Sequence, residues 1–596
     1  MGDPHRELKH LRKLAVANPT KRFGKLLKVI QQDAFLQMVW QQVRTNKGSR
    51  TPGVDGQTKE DVDDHVLHDL AHDLATRHYR PKPVRRTYIP KRGKPGQRRG
   101  LGIPAIRDRI VQAAIAQVLD TLYEPLFRSC SYGFRPGRSP IQALRHVARA
   151  YRSGVTWIVE GDLERCFDSL PHSVILACLR KRIKDERFID LIRRLLQAGV
   201  MEQGQYERTY SGAPQGGLCS PILMNIVLHE FDGWMEEHWQ ANAPVPQRTH
   251  PEYARLKRNL VRWRGQLQGR IPMGRQTVDG LRRKIAAAEA ARHQVPSYAP
   301  RQTLSFCRFA DDYLVMMGGY GKADAHRLKD AMATWLQEQL GLRQHPEKTR
   351  ITHWSQRVRF LGYDLRGQRN LNGTRWARLL IPPAAERDCK QRMKRLCGYT
   401  QIPATDLIMS LNALLRGWTQ YYCYASNATR RFGYLTGVAF WLTAHYLGRK
   451  HRRSIKRLMA HHYGVDPRTG KRALYVPLPG DKRLFLWNKP PQHRSILSGQ
   501  VFAHDTRPVM MTSWAGGHSY EQRLDLRARY GDQCQYCGRT SPSLAVHHPN
   551  RLAARPARKQ GPARVIQSAQ EQQPKWLCAD CHRQHHPGGW QGAATA

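Results

Sequence analysis

The chain is short of acidic residues: 47 Asp and Glu stand against 98 Lys and Arg in 596 residues, a formal charge of +51. Small soluble domains manage with a net charge of roughly 2 to 8, so dispersal alone does not account for the excess. A polyanionic partner does, and nucleic acid fits better than an anionic membrane surface. Long apolar runs are missing as well. None approaches the roughly 18 residues of a membrane span. The stretch from Met1 to Leu14 is studded with Arg, Lys and His, so no secretory signal is expected. There is no disulfide framework either: eight of the twelve cysteines are scattered singly from Cys130 to Cys423, a usage typical of a reduced, intracellular core. Hydrophobic residues still make up 40%, which excludes a basic disordered tail, and the length suits three to five domains.

Residues 1 to about 78 read as mostly helical and polar. Between Arg80 and Arg109, eleven Lys and Arg and one acid, Asp108, are interleaved with Pro and Gly. That composition favours turns and short strands such as VRRTYIP. An amphipathic helix follows, with Val111, Ile115, Val118 and Leu122 on one face. A charged insertion at roughly 235–300 reads as a helical pair with Leu256, Leu260, Trp263 and Leu267 on one face. Residues from Ala384 to about His451 are helical again. The Pro/Gly-rich basic stretch from Gly464 to Pro508 suggests irregular strands or a linker, and the tail from Glu521 is a separate small module.

Two acidic strings carry chemistry. The apolar run Thr156 to Val159 leads to Asp162, which puts a carboxylate at a strand end. In the second string two strand-like segments, Leu304 to Phe309 and Tyr313 to Met317, flank Asp311 and Asp312 at a hairpin tip. Adjacent carboxylates wedged between apolar strands are costly unless a cation neutralises them. A pair of divalent ions roughly 3.5 to 4 Å apart on such carboxylates serves phosphoryl transfer. Between the two strings, Pro214, Gln215, Gly216 and Gly217 form a loop whose backbone can approach a ligand closely. Ser220 and Pro221 suit the N-cap and first position of the next helix. Upstream, Lys91 and Arg99 supply cations for a triphosphate.

The order of these strings resembles the reverse transcriptases encoded by bacterial group II introns. The match runs from about residue 40 to the C-terminus. It takes in Gly53–Gly56, Lys91–Pro104, Ser131–Arg138, Asp162 with Phe167, Pro214–Gly217, Phe309–Asp312, His345–Thr349 and Phe360–Tyr363. Phe309 departs from the family's usual Tyr. The resemblance implies that Asp162, Leu163 and Asp311 bind two catalytic Mg²⁺ ions with Asp312 in support. It further implies that Phe167 is the steric gate against a ribose 2′-OH, that Lys91 and Arg99 hold the incoming dNTP, and that Gln215 and Gly216 shape its pocket.

After the palm, Ile408, Leu411, Leu415, Trp418 and Tyr422 repeat as one face of an amphipathic helix. The string from Leu411 to Tyr422 resembles the family's thumb, or maturase, domain. The resemblance implies that this domain binds the intron RNA through Arg416, Trp418, Arg449, Lys450, Arg452 and Arg453. The cationic run at 449–457 suits a phosphate-lined groove.

In the tail, Cys534, Cys537, Cys578 and Cys581 form two knuckles able to give Zn²⁺ a tetrahedral site. The nearby histidines resemble those of an HNH endonuclease of the ββα-metal type. That resemblance implies His548 as general base and His547, His582 and His586 as ligands of a divalent cation. The motif's usual central Asn is not evident; Asn550 lies only two residues past His548.

The expected protein is an α+β multidomain chain built as a right-hand polymerase. It comprises an extension at 1–78, fingers and palm at 79–380, a helical thumb at 381–463, a DNA-binding segment at 464–520 and a zinc-bearing HNH module at 521–596. Its expected work is to bind intron RNA, aid its splicing, nick a DNA target and copy the intron from the nick. The partners are then intron RNA, target DNA and dNTPs, with no membrane. A homodimer is compatible with the family, and the location would be the bacterial cytoplasm, at the nucleoid when DNA is bound. The competing reading is an RNA-binding splicing factor with a vestigial polymerase.

Overall fold

The computed structural model describes residues 3–497 except 91–95, 97, 214–215, 241–250, 273, 275, 296–301, 370–374, 399 and 481; beyond 497 it describes only 544–547 and 575–578. The chain divides into two units, Met1–Thr512 and Ser513–Ala596.

At the centre of the first unit is a four-stranded antiparallel sheet in the order Thr303–Phe309, Asp312–Gly318, Val155–Asp162, Arg350–His353. Its apolar strands read as continuous runs because both faces are covered. Side chains alternate across a strand. Tyr313, Val315 and Met317 thus join a core shared with the N-terminal helices and the helix Ile106–Tyr123. Leu314 and Met316 join a second core, shared with the helix Pro140–Arg152 and the segments after the palm. One sheet therefore welds the two halves of the unit together.

The N-terminal stretch folds as helices Pro4–Ala17, Leu26–Ile30, Asp33–Val43 and Asp64–Thr76. The basic segment after it forms the hairpin Val84–Pro90 and Arg98–Ile103, extended by the short strands Val200–Glu202 and Gln205–Glu207. Buried Arg109 ties the loop at 48–53 to this region, donating to the carbonyls of Gly48, Thr51 and Pro104. Gly53 belongs there because a Cβ would lie 2.6 Å from the Ala105 Cα.

Three helices, Pro383–Gly398, Ala404–Tyr422 and Ala428–His451, follow the palm. The strands Tyr463–Val465, Arg472–Leu478 and Lys482–Phe485 then form a small antiparallel sheet. Leu474, Val476, Leu486 and Ile496 are buried in the same core as the thumb helices. The first part of the basic stretch from Gly464 is thus an integral layer of the thumb rather than a linker. Of the two readings its composition allowed, irregular strands hold there, because alternate residues face a core. Asn412 locks the layer in place: its side chain donates to the Phe485 carbonyl and accepts from the Trp487 N–H.

In the second unit, Leu544–His547 pairs antiparallel with Lys575–Cys578, placing Leu544 opposite Cys578 and His547 opposite Lys575.

Candidate active site

The strand ending at Asp162 and the hairpin carrying Asp311 and Asp312 are adjacent in the palm sheet. In the register, Asp162 stands directly opposite Asp312, and Phe309 closes against Asp312 over the two-residue turn Ala310–Asp311. Ala310 has φ +59°. A tight hairpin turn needs a positive φ at its first central position, and a residue with a Cβ pays about 1–2 kcal/mol to adopt it. Neighbours hold that strain in place. Gly133 packs on the turn, where a Cβ would fall 2.2 Å from the Ala310 nitrogen; at Gly161 a Cβ would fall 2.0 Å from the Tyr313 ring.

Opposed like charges destabilise a sheet pair, and the electrostatics show the conflict. Desolvation, followed by the charges of Asp311 and Asp162, pushes the Asp312 carboxyl up. Asp312 remains open to solvent on one side, so mutual carboxylate repulsion is the component a cation would relieve. Asp311 is also raised, first by burial and then by Asp162, while Arg99 and Lys348 pull it down. The Lys348 ammonium sits 2.5 Å from Asp162 Oδ2. Residues 343–349 clamp the strand end: the His345 N–H donates to the Asp162 carbonyl at 2.8 Å and the Glu164 N–H to the Arg343 carbonyl at 2.8 Å. Leu163 is buried and bridges to Gln344. Among the described residues no three carboxylate, imidazole or thiol groups already form a closed metal shell. The open set of crowded carboxylate oxygens nevertheless has the chemistry Mg²⁺ prefers.

Beneath the turn lies a group that the sequence did not single out. Arg308 is fully buried. Its guanidinium donates to Asp232 at 2.6 Å through both Nε and Nη2, to Asn225 Oδ1 at 3.2 Å, to Ser131 Oγ at 2.9 Å and to the Ala310 carbonyl at 3.0 Å. Asn225 in turn donates to the Gly133 carbonyl at 2.9 Å. The helix Ser220–Met235 and the segment at 131–133 therefore grip the acidic turn through one buried cation. A charged residue inside a strand, with an acid and an amide seven residues apart on a helix, was the available signal.

Near the strand end, Phe167 is half-buried and meets Phe134 edge-on, ring centroids 6.2 Å apart. The loop at 211–213 is stitched to it: the Ala213 N–H donates to the Phe167 carbonyl at 2.7 Å and the Gly212 N–H to the Leu170 carbonyl at 2.8 Å. Gly216 has φ +116°, and a Cβ there would lie 2.2 Å from the Gly102 carbonyl. Its close approach is therefore to the Arg98–Ile103 strand, a neighbour that the loop's composition did not reveal. Arg99, on that strand, acts on both Asp311 and Asp168. Lys91 and Gln215 lie outside the described residues. The helix after the loop begins at Ser220, with Cys219 as its cap, one residue earlier than expected.

In the thumb, Trp418 is only 7% exposed and packs against Tyr422 and Phe432, so it belongs to the core and offers no surface to RNA. The expectation of an RNA contact at Trp418 is thereby overturned, because its ring fills the apolar seam of the thumb helices. Arg449 and Lys450 direct donors to the carbonyls of Cys397, Thr400 and Ile402. Arg416, Arg452 and Arg453 are exposed. Tyr421 and Tyr422 donate to the carbonyls of Leu361 and Gly362 at 2.5 and 3.1 Å, joining the thumb to the turn of the Phe360–Tyr363 motif. Of the tail residues, Cys534, Cys537, His548, Cys581, His582 and His586 lie outside the described residues; only the backbones of His547 and Cys578 are placed, at opposite ends of their ladder. The eight scattered cysteines are buried free thiols. No described helix is long and apolar enough to cross a membrane.

A palm whose acidic hairpin meets a carboxylate-ended strand, with basic strands on one side and a helical thumb on the other, is the arrangement of a template-copying polymerase. The family described as Reverse transcriptase (RNA-dependent DNA polymerase) matches residues 89–254 and 276–365. The family described as Group II intron, maturase-specific domain matches residues 387–464. The Group II intron-encoded protein LtrA of Lactococcus lactis subsp. cremoris is 28% identical over 614 residues, covering 97% of this chain and 98% of that protein. Protein YkfC of Escherichia coli K12 is 33% identical over 401 residues, 66% of this chain and 96% of YkfC. A protein named for the cob intron of Schizosaccharomyces pombe is 26% identical over 592 residues, 94% of this chain and 69% of that protein. The chain belongs to the group II intron reverse transcriptase–maturase family.

Proposed function

We propose that this reverse transcriptase–maturase copies RNA into DNA at the acidic edge of the palm, with Asp162 and Asp311 holding divalent cations and Asp312 and the Leu163 backbone supporting them. The observation that carries this reading is the register: Asp162 faces Asp312 across the sheet, with Asp311 in the adjoining turn. Bound Mg²⁺ would supply the positive charge that stabilises the attacking and leaving oxygens of nucleotidyl transfer. The remaining work belongs to side chains. Arg99 and Lys91 bind the dNTP phosphates, Gln215 and Gly216 shape its pocket, and Phe167, braced by Phe134, leaves no room for a 2′-OH. Lys348 orients the Asp162 carboxylate through its ion pair.

The maturase domain would bind the intron RNA with the exposed cations Arg416, Arg452 and Arg453. The tail would hold Zn²⁺ through Cys534, Cys537, Cys578 and Cys581. It would nick target DNA with His548 as base and His547, His582 and His586 around a divalent cation, so that the nick primes copying. The strand pairing that ends at Cys578 and at His547 supports two separate ligand groups, because the two residues stand at opposite ends of the ladder.

Primer extension on a generic RNA template tests the polymerase. Asp311→Ala should abolish extension while intron RNA binding persists; extension at the wild-type rate would refute the assignment. A wild-type chain that binds RNA but extends no primer would instead be a splicing factor with a vestigial polymerase.

A further inference from the structure

The reverse-transcriptase match breaks off over residues 255–275. The break falls within a helical arm, Pro251–Leu267 and Val278–Gln294, and takes in most of its first helix. The two helices pack on each other around Leu256, Leu260 and Ala288, with Trp263, Ile285, Ala291 and Val295 closing the seam. Each is about 25 Å long at 1.5 Å per residue. The arm thus has its own small core and contributes none of the carboxylates, cations or glycines of the polymerase site.

Its outer faces carry one sign of charge. Residues 251–294 contain eleven Lys and Arg and three acids. Each acid is already matched to an arginine of the arm: Glu252 with Arg255 at 4.0 Å, Asp279 with Arg282 at 3.9 Å, and Glu289 with Arg264. Among the described residues no acid pairs with Lys257, Arg258, Arg262 or Arg283, all of them exposed. Arg258 and Arg262 are four apart, a like-charge spacing that costs an isolated helix a few tenths of a kcal/mol. A polyanion lying along the helix would turn that repulsion into attraction. The arm's one tryptophan, Trp263, closes the seam, and it and Tyr253 are both half-buried. The surface therefore offers charge without a platform for base stacking, which selects phosphate rather than base recognition.

We propose that this arm is a sequence-independent binding surface for the sugar–phosphate backbone of the structured intron RNA, with Lys257, Arg258, Arg262 and Arg283 as its contacts. That the nucleic acid is RNA rests on the maturase reading; the phosphate chemistry does not.

The test uses the full chain with Lys257→Gln, Arg258→Gln, Arg262→Gln and Arg283→Gln combined, and measures affinity for labelled intron RNA and for duplex DNA from 50 to 200 mM KCl. Each lost phosphate contact lowers the log–log salt slope by about 0.7 to 0.9, so losing four flattens it by about 3. Over this fourfold salt range the wild-type chain should then lose roughly 50- to 150-fold more RNA affinity than the variant. Primer extension on a short template should be unchanged, and charge-preserving Lys and Arg exchanges should keep the wild-type slope. Equal RNA slopes with strong wild-type binding would overturn the arm's role alone. A flattened slope on DNA but not on RNA would overturn the assignment to RNA. A wild-type chain that fails to bind intron RNA would refute the maturase reading and the arm's RNA role together.

Discussion

Replacing Asp232 by alanine removes the carboxylate that meets Arg308 with two 2.6 Å hydrogen bonds in a fully buried pair. The guanidinium keeps its weaker contacts to Asn225, Ser131 and the Ala310 carbonyl but loses its counter-charge. Breaking a buried pair from one side costs about 3–5 kcal/mol, because the stranded charge cannot reach water. The chemical-denaturation midpoint of Asp232→Ala should fall accordingly, with the unfolding constant up roughly a hundredfold or more. The double variant Asp232→Leu with Arg308→Met should recover most of the stability, since an apolar pair of similar volume is often neutral or better than a buried ion pair. It should not recover polymerisation. A thioether in place of the Arg308 guanidinium cannot donate to the Ala310 carbonyl, and a turn displaced by as little as about 1 Å can cost on the order of a hundredfold in rate. Intron RNA binding, read in parallel, should remain. A loss below about 1 kcal/mol in Asp232→Ala would show that the ion pair does not hold the turn, and wild-type primer extension by the double variant would show that the Arg308 contact to Ala310 is dispensable.

Gly133→Ala should be one of the most damaging single-methyl changes in the palm. Its Cβ would meet the Ala310 nitrogen at 2.2 Å, backbone that cannot swing aside; primer extension should drop at least about tenfold, measured against unchanged RNA affinity. Asp120→Asn should stabilise the chain in a pH-dependent way. Burial and then Glu124 push the Asp120 carboxyl up to about 7. The unfolded chain therefore gives up this proton first, near pH 4, and native stability declines from there to about pH 7. Asparagine should gain on the order of 2 kcal/mol at pH 8 and almost nothing at pH 4, read from urea midpoints at the two pH values.

The parts of the site legible in the sequence were those set by local pattern. An apolar run ending at Asp162, and two apolar runs around Asp311 and Asp312, announce a strand end and a hairpin whatever the rest of the chain does. The helical arm and the thumb's apolar repeat followed from spacing alone, whereas the resemblance assigned Trp418 to the RNA and the fold buries it in the core. What stayed hidden depends on partners far along the chain. The register that sets Asp162 opposite Asp312 is a property of two strands 150 residues apart. Arg308 looked like one more cation among 98, and only the fold shows it sealed beneath the turn with Asp232 and Asn225. The composition around Gly216 announces a close backbone approach, and only the fold shows that Gly102 is one of its neighbours. The composition after Gly464 left strands and linker both open, because only the thumb supplies the surface that buries Leu474 and Val476.

Cations should bind where strand end and hairpin turn meet. Iron-directed cleavage locates them: the full chain with template, primer and dNTP is loaded with Fe²⁺ in place of Mg²⁺, and hydroxyl radicals cut the backbone nearest the metal. Cuts clustered around Asp162 and around Asp311–Asp312, absent from Asp311→Ala, are the predicted result. An intact backbone at both places, with cleavage elsewhere in the first unit, would mean that the cations bind away from these carboxylates.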